Sequence, residues 1–339
     1  MIFFFVYLLL VILLSLIFKK KGIFLNYSGD THQSFSNKKN VPLSGGLFAL
    51  IPIVFFLNDL LINCFIISIY LIGFFSDRKI LVSPKKRFLI QCVLILLFVV
   101  IFDMRINSSR IELFDVILSN KIFAIPFSAF CLLILINGSN FIDGLNGLLI
   151  FFTIIIFLML NKLNLIDNSI ISDQSINLII FVLLLLLLLN IFNFLMLGDS
   201  GAYLLGFFVG FIILSSHINN PDISPYFFIS LIWYPCYENL FSILRKLNRE
   251  FSPLKPDSKH LHQLVFFFVT KKLNLKLILS NNLSSAIICF FNFLIIYIST
   301  LNPSNTIFQI KLIVVSIIFY NVIYMLLFKF YKSNLISKK

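Results

Sequence analysis

Residues 176–216 read INLIIFVLLLLLLLNIFNFLMLGDSGAYLLGFFVGFIILSS, the clearest indication in the sequence of how the chain folds. It contains two apolar runs, 176–197 and 201–216, separated only by a glycine, an aspartate and a serine. Apolar runs of about 17–25 residues are long enough to cross the ~30 Å hydrocarbon core of a bilayer as helices. The stretch therefore predicts two transmembrane helices, with Asp199 held at the membrane surface between them.

The same pattern recurs along the whole chain of 339 residues. Hydrophobic residues make up 60% of it, charged residues only 12%, and the mean hydropathy is +1.02. Soluble domains carry about a quarter charged residues, so this composition excludes a water-soluble protein. We predict an all-α, polytopic transmembrane helical bundle that forms one integral membrane domain over residues 1–339. Its eleven predicted spans lie near 2–18, 42–57, 60–75, 88–102, 122–137, 145–160, 176–197, 201–216, 226–244, 283–300 and 307–328.

The basic residues predict the orientation, because loops rich in Lys and Arg stay in the cytoplasm. Five follow the first span, five the third and eight the ninth, and four lie in the C-terminal tail, together 22 of the 27. This distribution places the N-terminus outside and the C-terminus in the cytoplasm. The net charge of +13 follows from the same bias, so no nucleic-acid partner is expected.

Five polar or glycine-bearing segments fall on the predicted cytoplasmic side, between about residues 38 and 262. A carboxylate near the hydrocarbon boundary is costly and is a functional candidate by default. The first segment follows the fifth span and contains Asn137, Asn140, Asp143 and Asn146. The first three are three residues apart, so they would share one helix face. A helix cap needs only one such side chain, and we favour a functional site.

Two further segments carry chemistry that suits phosphate. Gly198-Asp199-Ser200 offers a lone carboxylate for a hard cation such as Mg²⁺ bridged to phosphate oxygens, or else a helix cap. His260 and His262 lie in the long basic loop, where no cysteine or third histidine is near. A zinc site is therefore disfavoured, and the loop is either a pocket for phosphates or simply solvated.

The remaining two segments are weaker signals. Asp77 ends the third span, and an ion pair or a cap explains it as well as function does. Lys38 and Lys39 precede the second span. They either neutralise phosphates or simply belong to the excess of basic residues in cytoplasmic loops. Carboxylates, histidines and cations on one face nevertheless indicate phosphoryl transfer to a lipid phosphate.

These segments resemble, in order and spacing, the polyprenyl-phosphate N-acetylhexosamine-1-phosphate transferases of glycosyltransferase family 4. The resemblance runs from about Lys38 to His262 and includes V-P-L-S-G-G, G-F-F-S-D-R, N-x-x-N-x-x-D-G-x-x-G-L, G-D-S-G-x-x-L-G and P-D-x-x-H-x-H. It implies ten or eleven transmembrane helices, Mg²⁺ (with Mn²⁺ as an alternative), a UDP-sugar donor and a polyprenyl phosphate acceptor in a bacterial inner membrane. The product would be the first lipid-linked intermediate of a cell-envelope polysaccharide such as O-antigen.

The resemblance also implies roles for individual residues. Asp199 would bind the metal, with Asp77 as a second candidate. His260 and His262 would contact the diphosphate, and Asp77, Asp143, Asp199 and the two histidines form the expected catalytic set. The expected binding set for the nucleotide sugar comprises Lys38, Lys39, Asn137, Asn140, Asn146 and Gly198.

The chain departs from the family pattern at four positions. Ser76 stands where the family usually has the first aspartate of an Asp-Asp pair. That aspartate is a proposed base that deprotonates the lipid phosphate, and a serine does not supply this role. Asn146 stands where the family has an aspartate, and Gln263 stands where it has a histidine. Met196 stands where the family often has a phenylalanine that stacks on uracil. V-P-L-S-G-G and H-L-H-Q fit the hexosamine branch better than the phospho-N-acetylmuramoyl-pentapeptide transferases, which stay an alternative.

Two other classes of protein also carry polar residues in membrane helices. A secondary transporter also carries acids in membrane helices, but it tends to show repeats and acids at mid-depth, which this sequence lacks. A non-catalytic scaffold is the third hypothesis. The sequence leaves the sugar, the prenyl length and the oligomeric state open, with a homodimer as an expectation.

Overall fold

A computed structural model describes residues 2–25, 41–247 and 259–336. Within these ranges the chain forms thirteen helices and no strands. In chain order they are α1 (Ile2–Lys21), α2 (Gly45–Phe56), α3 (Leu60–Asp77), α4 (Pro84–Ile101), α5 (Glu112–Leu118), α6 (Lys121–Ile142), α7 (Leu148–Lys162), α8 (Asp173–Ile191), α9 (Gly198–Asn219), α10 (Pro225–Leu247), α11 (Leu261–Leu273), α12 (Leu277–Ser299) and α13 (Thr306–Ile336).

Each of the eleven predicted spans corresponds to a helix, and the all-α polytopic fold is confirmed. In the part of the chain that the structure describes, seven helices are long and apolar enough to cross a membrane, namely α3, α6, α8, α9, α10, α12 and α13. Helices α2 and α7 are apolar but shorter. The chain is a multi-pass membrane protein; eleven crossings, an outside N-terminus and a cytoplasmic C-terminus stay predictions.

Contacts between connecting segments define two ends of the bundle. At one end, which we call the motif end, the N–H of Met196 donates to the Pro42 carbonyl over 3.0 Å and the N–H of Leu43 to the Phe24 carbonyl over 3.0 Å. At the opposite end, the N–H of Ser224 donates to the Pro303 carbonyl over 3.1 Å. These contacts join α1, α2 and α9 at the motif end, and α10, α12 and α13 at the other.

Helix α9 lies at the centre of the bundle, and 89% of its most apolar window is buried. A Cβ on Gly206 would lie 2.8 Å from Ser139 Oγ of α6, so only a glycine permits this approach. Small residues let transmembrane helices pack closely, since lipid tails give no hydrophobic force between them. The packing places the first turn of α9 in the middle of the motif end.

Two short helices were not predicted. Helix α11 lies within the segment that was predicted to be a basic loop. This segment is helical because Leu261, Val265 and Val269 follow a helical spacing and bury one face. Since α10 ends and α12 begins at the motif end, this 13-residue helix does not cross the bundle. Helix α5, with seven residues, similarly adds about two turns at the opposite end.

Some predicted helix ends were wrong. Helix α8 ends at Ile191, not near 197, because Asn193 adopts a left-handed conformation with φ 64°. The Asn190 side chain donates to the Leu195 carbonyl over 3.0 Å and so holds the non-helical segment that leads into α9. Helix α12 begins earlier than predicted, at Leu277, and α13 continues to Ile336.

Candidate active site

Asp199, the predicted metal ligand, is the second residue of α9. Its Oδ2 accepts a hydrogen bond of 2.6 Å from Ser76 Oγ, at the end of α3. The same oxygen accepts one of 2.7 Å from Arg87 Nη1, in the first turn of α4. Arg87 Nη1 also contacts Ser76 Oγ. Ser76, where the family pattern has aspartate, therefore holds Asp199 together with a cation.

Asp77 lies beside Asp199 and caps the same helix. Its Oδ1 accepts the N–H of Asp199 over 2.9 Å, and its Oδ2 accepts the N–H of Ser200 over 3.0 Å. The first N–H groups of a helix lack partners within it, and a negative charge there is favourable. The cap that the sequence left open for Asp77 is therefore present, and it joins the end of α3 to the start of α9.

Gly198 makes this cap sterically feasible. Its φ is +73°, and a Cβ there would lie 2.7 Å from Asp77 Oδ2. Any other residue would be strained and would push the carboxylate away. The cap by Asp77 thus explains why a glycine stands at position 198. The role of Gly198 in binding the nucleotide sugar stays a prediction.

The glycines of the other motifs bring helices together around α9. A Cβ on Gly73 of α3 would overlap the backbone at Ser200, and one on Gly46 of α2 would lie 2.5 Å from the Gly201 N atom. The N–H of Gly45 also donates to the Met196 carbonyl over 2.9 Å. The V-P-L-S-G-G, G-F-F-S-D-R and G-D-S-G motifs therefore form one packed unit.

Asp143 directly follows α6 and lies within electrostatic reach of the other two acids. Burial, and then the negative charges of Asp199 and Asp77, hold the pKa of the Asp143 carboxyl well above its ordinary value. A Cβ on the next residue, Gly144, would overlap His262 Nε2. The structure thus brings the D-G motif, the H-x-H motif and the α3–α9 junction together.

The H-x-H motif is anchored by a residue that the sequence analysis missed. Glu238 of α10 is fully buried, and its Oε1 accepts a hydrogen bond of 2.9 Å from His260 Nδ1. Tyr320 of α13 donates to Glu238 Oε2 over 2.7 Å. The His260 ring stacks on the His262 ring with centroids 5.6 Å apart. Glu238 is the single acid in its predicted span, and an intramembrane acid is a signal that could have found it.

The three predicted amide residues lie in different surroundings. Asn137 donates to Gln91 Oε1 over 3.2 Å inside the bundle, and Asn140 is half-buried one turn closer to the motif end. Asn146 Nδ2 donates to the side chains of Asn193 and Asn282 over 3.0 and 2.9 Å. Asn146 therefore belongs to an amide cluster between α8 and α12, and the substrate contacts of all three stay predictions.

Basic residues also reach the motif end. Lys246 is buried near the end of α10, with its Nζ 5.8 Å from the centroid of the Phe141 ring. Arg245 contacts the Lys259 carbonyl just before α11. The predicted phosphate-binding residues Lys38 and Lys39 lie outside the described residues.

The residues that are present fit Mg²⁺ held jointly with a substrate better than a preformed metal cage. Within the described ranges, no group of three or more His, Cys, Asp or Glu side chains is arranged to hold a metal ion. Mg²⁺ is usually bound by one or two carboxylates together with substrate phosphates. Asp199, whose side chain is 30% exposed, is suited to that arrangement. Both oxygens of Asp77 already accept backbone N–H groups.

Comparisons with known proteins show which family and which relatives this chain is similar to. The family model of glycosyl transferase family 4 matches residues 59–217. The undecaprenyl-phosphate alpha-N-acetylglucosaminyl 1-phosphate transferase of Thermotoga maritima is 25% identical over 73% of this chain and 74% of its own. The protein of that name from Salmonella typhimurium is 27% identical over 66% of this chain and 65% of its own.

A second group of relatives matches less of the chain. The phospho-N-acetylmuramoyl-pentapeptide-transferase of Dictyoglomus turgidum is 29% identical over 60% of this chain and 68% of its own. The family model covers α3 to most of α9, which carry Asp77, Asp143 and Asp199. It ends before Glu238 and the two histidines.

Proposed function

Because the chain belongs to glycosyl transferase family 4, we propose that it transfers an N-acetylhexosamine-1-phosphate from a UDP-sugar to polyprenyl phosphate. The products are a polyprenyl diphosphate-sugar and UMP. The relatives named undecaprenyl-phosphate alpha-N-acetylglucosaminyl 1-phosphate transferase support undecaprenyl phosphate as the acceptor.

One observation carries the proposal: the acids of three helix ends and the H-x-H motif meet at one end of a membrane bundle. Burial, and then the negative charges of Asp199 and Asp77, raise the pKa of Asp143, so the three acids together favour a bound positive charge. A cation bound with a diphosphate would offset that charge. A site at the end of the bundle also suits an acceptor whose phosphate lies at the bilayer surface.

The reaction needs positioning more than covalent chemistry by the protein. An oxygen of the polyprenyl phosphate attacks the β-phosphorus of the UDP-sugar, and a new P–O bond forms. The bond from the β-phosphorus to the oxygen that bridges the two phosphates breaks, and UMP leaves with that oxygen. An acceptor phosphate that is already ionised at neutral pH supplies the nucleophile without a base at Ser76.

Asp199 would hold Mg²⁺, and the bound ion would neutralise charge on the diphosphate and on the departing UMP. His260, oriented by Glu238, and His262, against Gly144, would donate hydrogen bonds to phosphate oxygens. The buried Lys246 adds positive charge near them. Asp77 keeps the first turn of α9, and with it Asp199, in position.

The proposal also covers location. The basic residues beside the motif end favour a cytoplasmic active site in a bacterial inner membrane. A secondary transporter is the alternative from another class, and it predicts substrate movement without UMP release.

The test is UMP release by the purified protein with undecaprenyl phosphate, Mg²⁺ and a panel of UDP-sugars. UDP-N-acetylglucosamine, UDP-N-acetylgalactosamine and UDP-N-acetylmuramoyl-pentapeptide separate the two branches of the family. We expect turnover with an N-acetylhexosamine, loss of turnover in EDTA, and a loss of about 100-fold or more in Asp199→Asn.

Asp103→Asn is the matched control. Asp103 also pairs with an arginine, at 2.5 Å from Arg105, but it lies at the opposite end. Full activity in Asp199→Asn, or no UMP with any donor, would contradict the proposal. Turnover of the muramoyl-pentapeptide alone would move the chain to the other branch.

A further inference from the structure

A cation of the chain already occupies the carboxylate that we assign to the metal. Arg87 Nη1 lies 2.7 Å from Asp199 Oδ2, and Ser76 Oγ lies 2.6 Å from the same oxygen. Arg87 also donates to Ser76, so the three side chains form a closed triangle. The family pattern has aspartate at position 76; here the triangle holds one negative charge and one positive charge.

The backbone around Arg87 fixes the reach of its side chain. Ser83 caps α4, with its Oγ accepting the N–H of Lys86 over 3.4 Å, and Pro84 occupies the first helical position. The Arg87 side chain is only 19% exposed, whereas Lys86 points to the outside. The ion pair is therefore set by the first turn of a helix and is partly shielded from water, which reduces screening.

We propose that Arg87 and a divalent cation compete for Asp199, so that the metal binds together with the nucleotide diphosphate and not before it. This inference rests on the function proposed above. A divalent ion at Asp199 Oδ2 would face a guanidinium charge within a few ångströms and an oxygen that already accepts two donors. Binding of the metal alone must therefore either break the ion pair or bear the repulsion of the Arg87 charge, in both cases without compensation.

The diphosphate removes that penalty. Its oxygens supply further ligands to the metal, and its negative charge stabilises a guanidinium released from Asp199. Metal and nucleotide should consequently raise each other's affinity, and by linkage the factor is the same in both directions. Replacing Arg87 should weaken this coupling because the metal then meets an unpaired carboxylate.

The test measures binding of Mn²⁺ alone to the metal-free purified protein by electron paramagnetic resonance. A second series contains UDP-N-acetylglucosamine without lipid acceptor, so that no turnover occurs. For Arg87→Ala we expect an affinity for Mn²⁺ alone about fivefold higher than in the wild type, the size expected for loss of a partly exposed ion pair. The increase in affinity caused by the nucleotide should shrink by a similar factor.

Lys86→Ala is the matched control, since it removes the same charge from the same turn of α4. It should bind Mn²⁺ like the wild type, which excludes a general effect of net charge. Arg87→Lys, which keeps the charge with a weaker hold on a carboxylate, should lie between the wild type and Arg87→Ala. It also serves as the second variant if Arg87→Ala does not fold. Asp199→Asn should abolish binding in each background.

The inference fails if Arg87→Ala, with a wild-type melting temperature, binds Mn²⁺ alone no better than the wild type. It also fails if Lys86→Ala shows the same gain. In either case a wild type that binds Mn²⁺ with the nucleotide and releases UMP leaves the proposed function intact. A wild type that binds no Mn²⁺ even with the nucleotide overturns the metal role itself, and with it this inference.

Discussion

Asp199 at the start of α9 and Asp77 at the end of α3 lie side by side, and their contacts give them different tasks. Asp77 accepts two backbone N–H groups, which are fixed in position by the helix. Asp199 is held by the side chains of Ser76 and Arg87, which can change partner. Asp199 is therefore the better candidate metal ligand, and Asp77 positions the turn that carries it.

The cap can be tested through the glycine beside it. Gly198→Ala should destabilise the protein by two effects, the left-handed φ of +73° and the overlap with Asp77 Oδ2. Gly22→Ala is the matched control, because its φ is +67° but the nearest atom, Leu25 Cδ1, is 3.7 Å from the added Cβ. We expect a cost of about 1 kcal/mol in the control and about 2–4 kcal/mol in Gly198→Ala.

The measurement is the midpoint of chemical unfolding in detergent, with UMP release in parallel. Only Gly198→Ala should lose activity, since only it displaces the turn that carries Asp199. Equal destabilisation of the two variants would mean that Asp77 does not restrict this position.

Asp143 should show a trade-off between stability and activity. Its pKa is raised in the folded protein, so the folded state binds more protons than the unfolded state as the pH rises above the ordinary pKa. The carboxyl therefore lowers stability progressively from about pH 4 towards neutrality. Asp143→Asn removes this cost, and we expect a higher melting temperature than the wild type at pH 7 and no gain near pH 4.

Melting curves of the metal-free proteins at several pH values check this prediction. UMP release should be lost in the same variant, as expected where a charge is kept for function at the expense of stability. A gain that is equal at all pH values would show that the charge of Asp143 is not the cause.

The sequence predicted which residues meet but not what several of them contact. Asp143, Asp199, His260 and His262 were found because polar residues in an apolar chain are conspicuous. The cap by Asp77 and the amide cluster of Asn146 depend on which helix ends adjoin, and hydropathy carries no such information. Glu238 was overlooked because it lies inside a span and its partner His260 is 22 residues away.

Helix α11 holds the H-x-H motif, and one buried contact ties it to two other helices. Glu238 of α10 accepts hydrogen bonds from His260, just before α11, and from Tyr320 of α13. Glu238→Gln should leave one of these buried donors without a good acceptor, at a cost of about 1–3 kcal/mol. We expect faster amide hydrogen exchange at the start of α11 and weaker UMP release.

Tyr320→Phe provides the comparison at the same contact. It removes the hydrogen bond to α13 and leaves the His260–Glu238 pair, so exchange in α11 should stay close to the wild-type rate. Identical exchange in α11 for Glu238→Gln and the wild type would show that the histidines are held by other contacts.

At the level of helices, length and hydropathy predicted those that cross the bundle, while short elements were missed. A run such as 176–197 exceeds what a span needs, so its true end was set by Asn193 and not by hydropathy. Helix α11 has an apolar stripe and basic residues in its last turn, and both are compatible with a loop when no partner helix is known. The structure shows that this segment is a helix whose apolar stripe packs against α12 and α13.

For the whole molecule, the up-and-down order of the helices accounts for the gathering of the motifs. Every motif lies at a connection predicted to face the same side, and contacts at the motif end join these connections. Hydropathy predicts this order because each span must cross the same thickness of hydrocarbon. It does not predict that α9 is central, since that depends on glycines such as Gly206 and on the neighbours they admit.

The orientation of the bundle in the membrane follows from charge and can be tested by labelling. In a background with the five native cysteines replaced, Lys85→Cys marks the motif end and Asn107→Cys the opposite end; both positions are exposed. Because Lys and Arg are concentrated beside the motif end, a membrane-impermeant maleimide should label Asn107→Cys on intact bacterial cells. Lys85→Cys should react only after the membrane is permeabilised, and UMP release by both unlabelled variants checks that they are folded. The reverse pattern would place the acids on the outer face, away from cytoplasmic UDP-sugars, and the transferase proposal would then fail whatever the geometry of the site.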